Sequence, residues 1–268
     1  MPEADQFTRM SLDQLQEKAR EIRRNVLDMV YTVQSGHIGG SFSEAEILAA
    51  LYYRVLRIRP EEPKWEDRDR FILSKGHACP GLYAVLAMRG FFPTATLATL
   101  REFGSPLQGH PVIKCPGIDM TTGSLGIGFG IAAGIALEAW KSGKTYDVYT
   151  VLGDGELNEG IIWEVAGTAN KYRLGNLVAI VDRNTVQNDG PCDAIMPTEP
   201  IDRKFESFLL LEKLEQFRIG ELQAFCIADT GPTEAHQILA DCRLRYSGQF
   251  RNVPQSQPAL VGEPKQFS

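Results

Sequence analysis

"DVYTVLGDGELNEGIIWEVAGTANKYRLGNLVAIVD", residues 147–182, decides the fold. "DVYTVL" (147–152) and "NLVAIVD" (176–182) are short apolar, β-branched runs with the length of buried strands. Between them, "NEGIIWEVAGTANKYR" reads as a helix. Strand, helix, strand at this spacing predicts a right-handed crossover and a parallel sheet. The turn between the first strand and the helix, "GDGELNEG" (153–160), holds three acidic residues and three glycines.

That turn admits three readings. An Asp-Gly hairpin turn requires a strand next, and a helix follows instead. A calcium loop numbered from Asp154 requires Gly at its sixth position and Glu at its twelfth, where Glu159 and Val165 stand. The third reading is a metal–diphosphate site beyond the carboxyl end of a sheet strand. Gly153 and Gly155 let backbone approach phosphate oxygens, Asp154 offers Mg²⁺ a hard oxygen, and the next helix presents its N-terminal N–H groups. A second metal ligand is expected from the following strand end, "VDRNTVQNDG", where Asn184 and the Val186 carbonyl are placed for it. Taken alone, Asn184 reads as a turn residue.

Working outward, Ser11-x-x-Gln14 is a capping box before apolar residues at helical spacing, which predicts a helix to about residue 33. Ser43-x-x-Glu46 predicts the start of a second helix. "RFILS" (70–74) reads as a short buried strand, and "PGLYAVLAMRG" as a helix ended by Gly90. "TTGSLGIGFGIAAG" (121–134) is not a dinucleotide fingerprint, because Gly126, Gly128 and Gly130 alternate. It reads as a loop opening a Gly/Ala-rich helix packed beneath a cofactor. From 209 to 231 the chain is plausible helix, no convincing apolar strand follows it, and 251–268 is polar, Pro-rich and expected to be disordered.

The 268 residues carry a net charge of −6, with 43% hydrophobic and 23% charged residues. That balance gives no hint of a nucleic-acid surface, and an anionic substrate would need a locally positive site. No apolar run approaches the roughly 20 residues of a membrane span. The five cysteines are scattered without a C-x-x-C pair, which predicts a reduced, cytosolic protein without structural zinc.

Three of the four histidines follow glycine: "SGHIGG" (His37), "SKGHAC" (His77) and "QGHP" (His110). Glycine opens space for a ligand beside the imidazole. Such a cluster suits polarising a carbonyl, moving protons and binding phosphate or hydroxyl groups. Lys75 beside His77 supplies the expected positive charge.

With "SGHIGG", "DRFILSKGHA", "QGHP", "TTGSLGIG", "LGDGELNEG" and "NLVAIVDRN" in this order, residues 10–208 resemble the N-terminal half of transketolase, which uses thiamine diphosphate. The resemblance implies an α/β thiamine-diphosphate-binding fold of the diphosphate type, a parallel sheet with helices on both faces, over residues 1–208. Residues 209–268 are then a divergent, partly disordered tail. It implies that Asp154, Asn184 and the Val186 carbonyl hold Mg²⁺, or Ca²⁺ or Mn²⁺ in its place. Gly153, Gly155, Gly123, Ser124, Leu125 and His77 are implied to contact the cofactor. Glu156 is either a further cofactor-site residue or a cap on the helix N-terminus, and Glu159 matches the acidic residue that links cofactor sites across the dimer. His37, His77 and His110 are implied to bind the donor's carbonyl and hydroxyls and to move protons.

The implied reaction breaks the C2–C3 bond of a ketose phosphate and passes the two-carbon unit, held as a carbanion on the cofactor, to an aldose phosphate. The implied partner is a complementary pyrimidine-binding half, in a complex of two copies of each chain. Ile127 departs from the family's usual Gln. After "DRKFESF" (202–208) the family's Asp-Gly-His turn has no counterpart, and His236 is not in that context. Two other readings stay open on sequence: the α-type chain of a 2-oxoacid dehydrogenase, and a catalytically dead chain that binds thiamine diphosphate or a partner.

Overall fold

The computed structural model describes residues 10–208 and the backbone of residues 216–219 and 222–227. The expected disorder of the final segment, and His236, lie outside the described residues.

Helix α1 (Leu12–Val33) begins at the capping box. Ser11 Oγ accepts the Gln14 N–H at 3.3 Å, and Gln14 Oε1 accepts the Ser11 N–H at 2.8 Å. Leu15, Ala19, Ile22, Val26 and Met29 recur at three- and four-residue steps and are buried. Next come α2 (Ile38–Ser43), α3 (Ala45–Ala50) and a π-helical turn (Leu51–Val55). Ser43 is therefore not the N-cap that its spacing to Glu46 suggested. Its hydroxyl instead donates to the buried Asp182 carboxylate, while Glu46 pairs with Arg23. An ionised acceptor forms a stronger hydrogen bond than a helix terminus does.

Strand β1 (Arg70–Leu73) leads into α4 (Cys79–Met88), which ends before Gly90 at φ +87°. Helix α5 (Ile127–Lys141) precedes β2 (Val148–Gly153); α6 (Gly160–Tyr172) then carries the chain to β3 (Leu177–Asp182). β1, β2 and β3 are parallel, with Arg70 opposite Val148, and Val148 opposite Leu177. Every residue of β2 and β3 is buried, as expected for strands covered on both faces. Tyr149, Val151, Val178 and Ile180 pack in one apolar cluster with α1, α3 and α4. Val148, Leu152, Leu177, Ala179 and Val181 pack in the other with α5 and α6. The alternation of strand side chains produces this two-sided core.

A short ladder of β4 (Val186–Gln187) and β5 (Gly190–Pro191) follows β3, and then α7 (Cys192–Ile195) and α8 (Ile201–Phe208). The α/β fold with its parallel β1-β2-β3 sheet and helices is as expected, and beyond it the structure corrects one expectation. The 209–231 segment contains strands β6 (Gln216–Ile219) and β7 (Leu222–Ile227) where a helix was expected. β7 pairs antiparallel with β3, so the sheet runs β1-β2-β3-β7-β6 and is mixed. The added strand satisfies N–H and C=O groups along β3 that an open edge would leave unpaired.

Candidate active site

Beyond the carboxyl ends of β1, β2 and β3 lies a cleft of about 800 Å³. His37, His77, His110, Lys75, Gly123, Leu125, Gly155, Asn184 and Val186 line it. Residues as far apart in sequence as His37 and Asn188 thus line one cleft. The parallel topology delivers Lys75 and His77, Gly155, and Asn184 to the same edge from the ends of β1, β2 and β3, and His37 joins them from the turn between α1 and α2.

The metal-type turn is built from two strand ends. The Asp154 carboxylate accepts the Gly155 N–H at 2.9 Å and the Thr185 N–H at 2.6 Å. Thr185 has φ +63°, an unusual left-handed conformation for a β-branched residue. Asn184 Oδ1 accepts the Val186 N–H at 3.0 Å, and its amide donates to Ser43 Oγ at 3.3 Å. No cluster of three His, Cys, Asp or Glu able to hold a metal exists among the described residues. The donors offered are one carboxylate, one amide and one carbonyl, a hard oxygen set that suits Mg²⁺ sharing its shell with phosphate and water.

Asp154 itself, Gly153, Ser124 and Glu156 do not line the cleft. Glu156 is 2% exposed and accepts three hydrogen bonds, from Ser74 Oγ at 2.5 Å, Gly126 N at 2.6 Å and Gly153 N at 2.9 Å. It does not cap α6, whose N-cap is Glu159 after a 3₁₀ turn at Gly155–Asn158. Glu156 instead ties the ends of β1 and β2 to the loop before α5. Gly126 at φ +81° turns that loop. A Cβ on Gly128 would lie 2.5 Å from Ser74 Cα, so only glycine lets α5 start against β1.

The expected positive site is differently built. Lys75 is 1% exposed, and its ammonium contacts Asp182, donates to the Gly40 carbonyl at 2.9 Å and lies 3.7 Å from Glu44. Burial opposes its charge, yet Asp182 and Glu44 outweigh burial and hold Lys75 above the ordinary lysine range. The ammonium is therefore already balanced and is not a free cation for substrate. Burial pushes Glu44 well above the carboxylate range, against the pull of Lys75. Neither Glu44 oxygen has a hydrogen-bond partner among the described residues.

The three imidazoles converge as the Gly-His pattern predicted. The rings of His37 and His77 meet edge to face at 5.2 Å. Burial first, then the charge of Lys75, lowers His77 to about 4. Burial and Arg101 lower His110 as well. At neutral pH His77 is an uncharged imidazole, able to donate at one nitrogen and accept at the other. Tyr83 fixes the third turn by donating to the carbonyls of Gln108 and His110, at 3.0 and 2.9 Å. The sequence pattern did not single out Ile38, Gly39, Gly40, Gln187 or Asn188, which complete the lining. The Gly39-Gly40 pair of "SGHIGG" was the available signal for the first three.

Residues 15–212 match the family model described as transketolase, thiamine diphosphate binding domain. The chain belongs to the transketolase family. It is 46% identical over 195 residues to the 6-deoxy-6-sulfo-D-fructose transketolase subunit SqwG of Clostridium sp. (strain MSTE9), covering 72% of this chain and 71% of that protein. It is 41% identical over 199 residues to an apulose-4-phosphate transketolase subunit of Phocaeicola vulgatus (74% and 71%). Against the transketolase of Homo sapiens it is 41% identical over 198 residues, which is 74% of this chain and 32% of that one. The solved transketolase of Campylobacter jejuni superposes with a TM-score of 0.70 at 34% identity, over 74% of this chain and 32% of that chain. The chain thus spans about a third of these longer transketolases. The relatives favour transketolase over the 2-oxoacid dehydrogenase and dead-chain readings. Among the described residues no helix is long and apolar enough to cross a membrane.

Proposed function

We propose that the chain is the N-terminal subunit of a two-chain transketolase, which moves a two-carbon ketol unit from a ketose phosphate to an aldose phosphate. The observation that carries this reading is the convergence of three Gly-His turns with Gly155, from the GDG turn, and Asn184, beyond the end of β3, on one cleft. Relatives named as transketolase subunits support a complementary chain. We place it as a pyrimidine-binding half, in a complex of two copies of each chain. Residues 1–208 form the diphosphate-binding unit in this reading and 209–268 a divergent continuation; the family match over 15–212 supports this division.

Asp154, Asn184 and the Val186 carbonyl would hold Mg²⁺, with Ca²⁺ or Mn²⁺ able to serve in its place. Bound thiamine diphosphate supplies a nucleophilic carbon and an electron sink for the two-carbon fragment. The chain's own residues do the rest. Gly155 and Gly123 bring backbone without side chains to the cleft wall. Because Lys75 is balanced by Asp182, the metal is left to offset the diphosphate charge. Neutral His77 donates to or accepts from the donor's carbonyl and hydroxyls, and His37 and His110, in the same lining, move protons at the same oxygens.

The test is two-carbon transfer by the purified chain with a ketose phosphate and an aldose phosphate, before and during titration with the complementary half. Turnover is expected only after the partner is added, because the matched region belongs wholly to the diphosphate-binding type. Robust turnover by the chain alone overturns the two-chain reading, and failure at every partner ratio overturns the activity.

A further inference from the structure

Arg101 lies outside the cleft lining, yet it touches the turns that precede two of the three histidines. Its Nη1 donates to Ser35 Oγ at 2.8 Å, one residue before Gly36-His37. The rest of its guanidinium lies against Gly109, just before His110. A Cβ at Gly109 would meet Arg101 Nη2, Cζ and Nε at 3.1, 3.2 and 3.3 Å. A side chain there would crowd the guanidinium, and glycine leaves it the room. Arg101 is itself held in place: its φ is +62°, a conformation uncommon outside glycine, and its N–H donates to Leu107 O at 2.7 Å. Strained backbone of this kind persists where surrounding contacts over-determine it.

We propose that Arg101 is a positioning residue that braces the Ser35–His37 turn against the Gln108–His110 turn and so sets the spacing of His37 and His110 across the cleft. Its bearing on turnover rests on the transketolase reading, but the brace itself does not. A guanidinium suits this task because its fixed planar fork serves the Ser35 hydroxyl while its flat body lies against Gly109, a shape that a lysine ammonium lacks. The same placement puts a fixed positive charge near His110. The groups that bear on His110 electrostatically are Arg101 and His37, and both oppose its protonation after burial does.

The experiment uses the full chain and three variants. Ser35→Ala removes only the hydroxyl acceptor and leaves the guanidinium. Amide hydrogen exchange is then read at Arg101 and Leu107, whose N–H groups are bonded within the 101–107 loop that leads into the second turn. The brace predicts that exchange there quickens about tenfold, the effect of losing one hydrogen bond to a charged group. The β2 amides should stay unchanged as a control for global loosening. Arg101→Lys should loosen the same amides while leaving the low titration of His110, followed by proton NMR, in place. Arg101→Gln should loosen them and raise the His110 titration point. In the assembled enzyme Arg101→Lys should lower kcat more than it alters KM. Unchanged exchange at Arg101 and Leu107 in both Ser35→Ala and Arg101→Lys overturns the proposal. If the wild-type assembly lacks two-carbon transfer, the proposed function falls while the exchange result still judges the brace.

Discussion

The carboxylate of Asp154, at the end of β2, accepts the backbone N–H of Thr185, beyond the end of β3, at 2.6 Å. This bond ties the carboxylate of one proposed metal ligand, Asp154, to the backbone next to the other, Asn184. A ligand bound only by the folded state adds about 2.7 kcal/mol of stability at 100 times its dissociation constant. For a domain of this size that raises the melting temperature by roughly 5–10 °C. Asp154→Ala is expected to abolish the rise caused by thiamine diphosphate with Mg²⁺. Differential scanning fluorimetry with and without both reads this directly, and a full-sized shift in the variant would remove Asp154 from the site.

His77→Ala and His110→Ala should separate binding from turnover. Their imidazoles line the cleft but neither belongs to the Asp154–Asn184 turn. Acid–base contributions of positioned side chains are typically 10²–10⁴-fold. In the assembled enzyme kcat is expected to fall by about 10²-fold or more, with cofactor affinity changed far less. Equal losses in both would mean instead that these histidines build the cofactor pocket.

The pH dependence of folding follows from His77. Its folded value, about 4, lies below the ordinary 6.5. Between these values the unfolded chain binds more protons at this site than the folded chain does. Stability therefore rises with pH through this window: the contribution is present in full above about 6.5 and is lost as pH falls toward 4. Asp147, raised to about 6 by burial and Asp69, works in the opposite direction over part of the same range. Urea denaturation of wild type and His77→Gln from pH 4 to 7 isolates the histidine by subtraction. The wild-type advantage should shrink on acidification; a constant difference would contradict the assignment.

Glu156→Gln should damage the fold more than a surface change does. The carboxylate accepts from Ser74, Gly126 and Gly153 while buried. An amide of the same shape turns an N–H₂ group toward one or more of those donors. The expected cost is roughly 1–3 kcal/mol, seen as a lower urea midpoint with an unchanged slope. A midpoint equal to wild type would show that Glu156 does not tie these segments together.

Much of this molecule is governed by short-range pattern. The capping box at Ser11 and Gln14, the apolar runs of β1, β2 and β3, and the crossover through α6 are local in sequence, and periodicity reveals them. The Gly-His turns and the GDG turn are equally local, so the candidate site residues were legible; the parallel topology brings His77, Gly155 and Asn184 to one edge, and helix and loop packing adds His37 and His110. Tertiary structure decided what those residues have as partners. Ser74 reaches Glu156 across 82 positions, Lys75 reaches Asp182 across 107, and Ser43 reaches Asp182 across 139. These contacts turned an expected free cation into a balanced one, a helix cap into a buried tie and another cap into a carboxylate donor. The β6–β7 hairpin likewise answers the exposed edge of β3 rather than a local preference. A sequence window carries backbone propensity and burial pattern, but the partner of a buried charge is chosen by whichever groups folding brings within a few ångströms, where leaving the charge alone costs most.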